Sequence, residues 1–70
     1  MFPTLQAKLR RFEELERQLL NPDLIADISK MLAIQREHGG LAKVAKSVRE
    51  FNQLEDEIEA ARVLIQEEQD

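Results

Sequence analysis

The sequence contains no cysteine, tryptophan or tyrosine, and it has only two glycines and two prolines among its 70 residues. Without cysteine, the chain can form neither a disulfide nor a cysteine-based metal site. The scarcity of glycine and proline argues against a β-sandwich or β-barrel, because these folds need many turns. No apolar run approaches the roughly 20 residues that span a bilayer, and the start of the chain lacks the pattern of a secretory signal. We therefore expect a cytoplasmic protein with no membrane segment.

The residues that dominate the sequence are leucine, alanine, glutamate, glutamine, lysine and arginine, all of which favour helices. Apolar residues make up 43% of the chain, which is enough for a core and argues against intrinsic disorder. A core of this size rarely contributes more than roughly 3–5 kcal/mol, so the fold must be economical or must use a partner chain. We predict a single all-α domain over residues 1–70.

Two interruptions divide the chain into three helical segments. Asn21 is a preferred N-cap residue, and Pro22 suits the first position of a helix because its missing N–H group costs nothing there. Gly39-Gly40 is the second interruption, since glycine is the usual residue just past a helix end. The predicted helices span about 4–20, 22–38 and 41–67.

The third segment carries a heptad-like apolar seam, which is typical of a coiled coil. Its helix would be roughly 40 Å long, against roughly 25 Å for each of the others, so it must extend beyond them. Short connections favour antiparallel neighbours. The prediction is a three-helix antiparallel bundle, or a helical hairpin with a longer third helix. The seam consists of Leu41, Val44, Val48, Phe51, Leu54, Ile58, Ala61 and Ile65.

The sequence offers no arrangement of residues that is typical of catalysis. His38 is the only histidine, and we interpret it as a structural residue in the last turn before Gly39. Glutamates that lie close in sequence are interpreted as solvated faces, because a slim bundle provides no cleft for two different carboxylate environments. We expect no enzyme activity, no cofactor, no metal and no small-molecule substrate.

The middle of the chain is basic and its end is acidic. Residues 30–49 contain five basic residues and one acidic residue, whereas residues 50–70 contain one basic and eight acidic residues. The basic residues could simply keep the surface soluble, or they could contact RNA phosphate or an acidic protein surface. The candidate contact residues are Lys30, Arg36, Lys43, Lys46 and Arg49.

Short motifs follow one another in a fixed order from Leu9 onward. They are Phe12-Glu13-Glu14-Leu15-Glu16, Leu20-Asn21-Pro22-Asp23-Leu24-Ile25-Ala26-Asp27, Lys30, Ile34, Arg36-Glu37-His38, Arg49-Glu50-Phe51, Leu54, Asp56 and Ile58-Glu59. In this order, without a gap, they resemble the N-terminal domain of bacterial class I peptide chain release factors. The segment around Pro22 is more similar to the factors that read UAG and UAA.

The resemblance implies a part in translation termination at stop codons, as a helical module that does not itself catalyse peptide release. It implies contact with the ribosome near the base of the large-subunit stalk and its GTPase-associated region, with both rRNA and protein as partners. Gly39-Gly40 stands where the family commonly has helix-forming residues, which implies a sharper break here. Gly39-Gly40-Leu41 is not the family's catalytic Gly-Gly-Gln motif, which belongs to a later domain.

Two other functions remain open. A self-associating helical adaptor would cover the apolar surface of the third helix with a second copy, giving a homodimer. An amphipathic helix on a membrane surface is disfavoured, because the acidic end of the long helix would be repelled by anionic lipid.

Overall fold

Two long helices lie side by side in opposite directions and are joined by a short third helix. In this computed structural model, which describes residues 3–69, α1 spans Pro3–Gln18, α2 spans Pro22–Ile25 and α3 spans Ile28–Gln69. No β-strand occurs among the described residues. The predicted domain limits include Met1, Phe2 and Asp70, which lie outside the described residues.

The molecule is elongated because α3 is much longer than the helix that packs on it. Its principal extents are 59 × 22 × 15 Å, and its radius of gyration is 17.5 Å. A compact domain of this length would have a radius of gyration of about 11 Å. The second half of α3 therefore extends beyond the N-terminal end of α1, as the sequence predicts.

Side-chain caps fix the two helix starts that follow α1. Asn21 accepts a hydrogen bond from the Asp23 backbone N–H at 3.0 Å, so the Asn21-Pro22 start is confirmed. Asp27 Oδ1 accepts a hydrogen bond from the Lys30 backbone N–H at 3.2 Å. This is the contact that an N-cap residue makes with the third residue of a helix. The second helix start is therefore at Ile28, with Asp27 as its N-cap residue.

The predicted break at Gly39-Gly40 is wrong, and so are the predicted helices 22–38 and 41–67. Both glycines lie inside α3, and neither has a positive φ. Glycine costs only about 1 kcal/mol in a helix interior. Ending α3 here and restarting it would leave several backbone groups unpaired and would require a new helix nucleus. The residues after Gly40 also include no good N-cap, so continuing the helix is favoured.

The core lies between α1 and the middle of α3. Leu9 and Phe12 from α1 pack against Ala45 and Val48 from α3, with Leu15 fully buried nearby. Leu5, Leu41 and Val44 flank this cluster. Of the apolar seam that the sequence predicts from Leu41 to Ile65, only the first half is therefore buried.

The all-α class is confirmed, and so is the hairpin form of the prediction with its long last helix. The separate middle helix of a three-helix bundle is not present. Residues predicted for that helix form the four-residue α2 and the first turns of α3. Ile28 and Leu32, which a middle helix would have buried, are exposed.

Polar contacts fasten the hairpin along its edges. Gln6 and Asn52 exchange side-chain hydrogen bonds of 2.8 and 3.2 Å between the two helices. Arg11 donates two hydrogen bonds to the Glu37 carboxylate, at 2.7 and 2.8 Å. These bonds lower the pKa of Glu37 and raise the pKa of Arg11. Both side chains are exposed, so the pair makes only a modest contribution to stability.

We predict that Gly39→Ala and Gly40→Ala each stabilise the chain. A Cβ atom at either position would meet no other atom within 4 Å, and alanine favours the helix by about 0.5–1 kcal/mol. Urea unfolding followed by circular dichroism measures the change. The matched control is Ala42→Gly, an exposed position on the same helix, which should lose a similar amount. Destabilisation by both alanine variants would contradict a continuous α3.

The ion pair between Arg11 and Glu37 predicts a stability difference that depends on pH. Because the folded pKa of Glu37 lies below its ordinary value of 4.5, the pair stabilises the fold above that value. This stabilisation is lost as the pH falls through the lowered pKa. Glu37→Gln should therefore be less stable than the wild type near neutral pH and equally stable in acid, as measured by thermal unfolding. Glu50→Gln, on the same helix, is the control, and a Glu37→Gln difference that persists unchanged in acid would be inconsistent with the pair.

Candidate functional site

The predicted contact residues do not form one surface. Arg36, Lys43 and Lys46 are exposed and lie within about 80° of one another around α3, at about 100° per residue. Lys43 lies about 140° around the helix from the buried Val48, so these cations face away from α1. We call Arg36, Lys43 and Lys46 the outer basic face. Lys30 lies apart, in the first turn of α3, with its ammonium 4.0 Å from Asp27.

Arg49 faces α1 and is paired within the hairpin. Its Nη2 atom lies 3.4 Å from Glu16 Oε1 and 3.9 Å from Glu13 Oε2. Its guanidinium carbon lies 5.3 Å from the centre of the Phe12 ring, which is a cation–π distance. These contacts hold Arg49 against α1. The six-residue spacing also separates Arg49 from Lys43 by about 120° around α3.

Phe12 is stacked on His38 as well. The two ring centroids lie 4.2 Å apart with an interplanar angle of 15°. The His38 Nε2 atom is buried and lies 3.8 Å from Glu16 Oε1, beyond hydrogen-bond distance, and it has no hydrogen-bond partner among the described residues. The sequence interpretation places His38 in a last turn, but it stands in the middle of α3, packed on Phe12. Three motifs that are separate in the sequence meet at Phe12.

A cleft of about 450 Å³ opens beside this stack, at the end of α1. Its two glutamates are balanced by two arginines, and the residues that line it include no serine, threonine or cysteine, so it offers no nucleophile of those kinds. Within residues 3–69, no group of three or more histidine, aspartate or glutamate side chains could hold a metal ion. The lining residues are Glu13, Glu16, Arg17, Leu19, Leu20, His38 and Arg49.

The second half of α3 carries an exposed apolar stripe in nearly the same direction as the outer basic face. Spacings of three and four residues keep its members on one side of the helix. Phe51, Leu54, Ile58 and Ile65 expose 41, 54, 61 and 56% of their surface, respectively. We define the outer stripe as Phe51, Leu54, Ile58, Ala61 and Ile65.

Two structural features were not found by reasoning from the sequence. Asp27 directly precedes an apolar residue, which is the signal of an N-cap, but Gly39-Gly40 was the more obvious punctuation. The stack of Phe12 on His38 joins residues 26 positions apart, and no local pattern could have indicated it. Only the register of α1 on α3 brings the two rings together.

We predict that Phe12 and His38 are energetically coupled. Stacked aromatic pairs contribute about 0.5–1.5 kcal/mol beyond the area that they bury. A double-mutant cycle with Phe12→Leu and His38→Gln, measured by urea unfolding, should return a coupling energy in that range. A second cycle that combines Phe12→Leu with Gln35→Ala, an exposed position on α3, should be additive. Equal coupling in the two cycles would argue against a specific stack.

The comparisons with known proteins identify relatives of the chain. It is 38% identical over 61 residues to peptide chain release factor 1 of Treponema denticola, which covers 87% of this chain and 17% of that protein. It is 35% identical over 68 residues to the factor of Clavibacter michiganensis subsp. michiganensis, covering 97% of this chain and 19% of that protein. With the factor of Chloroherpeton thalassium the identity is 30% over 70 residues, covering all of this chain and 20% of that protein.

The chain thus spans about a fifth of the length of the curated relatives that it matches. The search of solved structures gave no match. Among the described residues, no helix is both long enough and apolar enough to cross a membrane. The family model of the PCRF domain matches residues 8–70. These matches confirm the resemblance to the N-terminal domain of release factors, and the chain belongs to the PCRF domain family.

Proposed function

We propose that this chain acts in translation termination as a helical, non-catalytic module that binds the ribosome. The relatives are named peptide chain release factor 1, and a factor of that name must engage a ribosome that has stopped at the end of a message. The single observation that carries the proposal for this chain is the outer basic face. Arg36, Lys43 and Lys46 project from one side of α3, free of the ion pairs that engage Arg49.

The surface chemistry favours contact with phosphate. Three cations on one side of a helix can neutralise phosphates, and no aromatic residue lies among them to stack on single-stranded bases. Gly39 and Gly40 lie between Arg36 and Lys43, with nothing near their missing Cβ atoms. A backbone phosphate could therefore approach the helix axis closely at this point.

The proposed contact is the base of the large-subunit stalk and its GTPase-associated region, with its rRNA and protein. An elongated module suits such a role, because α3 is long enough to reach outward while α1 stiffens its first half. In this proposal the module positions or releases the factor in the cytoplasm and performs no chemistry. Lys30 and Arg49 are secondary contacts, since Lys30 lies at the hairpin turn and Arg49 is already paired.

Self-association of the isolated chain is a second candidate function. The observation that favours it is the outer stripe, whose large apolar side chains are more than 40% exposed. Surfaces of this kind mark sites of protein contact. Such pairing would also place a second copy close to the outer basic face.

The ribosome proposal predicts that reversing the outer basic face weakens binding and its dependence on salt. Each phosphate contact adds roughly 0.7–0.9 to the slope of log affinity against log salt concentration. Lys43→Glu combined with Lys46→Glu should reduce that slope by about 1.4–1.8 and should weaken binding most at low salt. Binding of the labelled 70-residue chain to ribosomes can be followed by sedimentation at several salt concentrations.

The matched control reverses two cations of α1, Lys8→Glu with Arg10→Glu, which changes the net charge equally. Both residues are exposed, and this variant should keep most of the wild-type slope. A photo-crosslinker at Gly39 should label components of the stalk base. An equal loss in the two charge variants would overturn the assignment of the outer basic face, and labelling confined to the small subunit would overturn the proposed location.

A further inference from the structure

The outer surface of α3 has two halves that lie on the same side of the helix and carry opposite charge. Heptad spacing places Arg36, Gly40, Lys43 and Ser47 in line with the outer stripe, since steps of three and four residues keep one face of a helix. The first half of this face is basic and small. The second half is apolar and is flanked by acids that include Glu57 and Glu68, both exposed.

We propose that two copies of the chain pair antiparallel along this face, so that the basic half of one copy covers the outer stripe of the other. The proposal rests on the second candidate function and adds its geometry. A two-fold axis passes close to Phe51. Lys43 of each copy then lies beside residues 57–59 of the other, and Arg36 lies beside residues 64–66.

Charge decides between this arrangement and the alternatives. Residues 50–70 contain eight acidic residues and one basic residue, so a parallel pair would align like charges along its whole second half. An antiparallel pair centred on Ile58 would match the apolar stripes but would also set the two acidic segments against each other. Shifting the axis to Phe51 brings the acidic segment beside residues 30–49, which carry five basic residues and one acidic residue.

The shapes of the two α3 surfaces are compatible with the same antiparallel register. Ala61 of one copy meets the region of Gly39 and Gly40 on the other, where the surface carries no side chain. The long stems of Lys43 and Lys46 can lie along Leu54 and Ile58 while their ammonium groups reach the flanking carboxylates. On the described chain, α1 leaves this side of α3 open, because α1 packs on the opposite side, at Ala45 and Val48.

Sedimentation equilibrium of the full 70-residue chain at low ionic strength tests the proposal. We expect a reversible dimer whose dissociation constant rises with added salt, because salt screens the attraction between the two halves. Ile58→Ser should weaken the dimer without unfolding the hairpin, since Ile58 is exposed and lies outside the core. Circular dichroism of each variant confirms that the helices remain.

A charge exchange tests the register itself. Lys43→Glu and Glu57→Lys should each weaken the dimer about tenfold, because the two-fold axis makes each change act twice. The variant that carries both changes should regain most of the affinity. Lys8→Glu alters the charge by the same amount on α1 and should leave the dissociation constant unchanged.

The outcomes of these experiments distinguish a failure of the register from a failure of the second candidate function. A monomer at every accessible concentration overturns both the dimer and the second candidate function, and it leaves the ribosome proposal standing. A dimer that becomes tighter with salt overturns the register and indicates the pairing centred on Ile58. A charge exchange that does not restore affinity also overturns the register. A chain that stays monomeric but binds a basic helical peptide identifies another protein as the occupant of the outer stripe.

Discussion

The packing of Leu9 and Phe12 against Ala45 and Val48 holds α1 along the first half of α3, and the rest of the surface depends on it. This contact fixes which side of α3 is buried and therefore which side is free. Phe12 makes two further contacts, because its ring is stacked on His38 and lies at a cation–π distance from Arg49. The stack and the cation–π contact set the rotation of α3, and that rotation turns Lys43 and Lys46 outward while it keeps Arg49 beside Glu16. A small core thus determines the charge pattern that the molecule presents.

The same constraint separates two groups of residues in the motifs that resemble release factors. The aromatic and acidic residues of α1 contact the histidine and arginine of α3, so these motifs close the hairpin. The residues that point away from α1 are left to meet a partner. The result is an elongated rod with a basic half and an apolar, acidic half.

Much of the fold follows from the sequence, and the part that does not has a physical cause. Helix-forming composition, the Asn21-Pro22 cap and the seam from Leu41 onward predict an all-α hairpin with a long last helix. Gly39-Gly40 misled the prediction because local propensity was weighed without the cost of ending a helix that has no cap to restart it. The true start after Asp27 depends on one side-chain hydrogen bond. For the candidate site, the spacing of Lys43 and Lys46 was informative, whereas the position of Arg49 depended on a long-range contact with Glu16 that no spacing reveals.

The claim that α3 is one uninterrupted rod can be tested by a single distance. Spin labels at Ala33 and Ala61, both exposed and on opposite sides of Gly39-Gly40 in the sequence, can be measured by pulsed electron paramagnetic resonance. A continuous helix separates their Cα atoms by roughly 42 Å and gives a narrow distribution. A chain that reverses at the two glycines would bring them to about 20–25 Å, and that result would contradict the account.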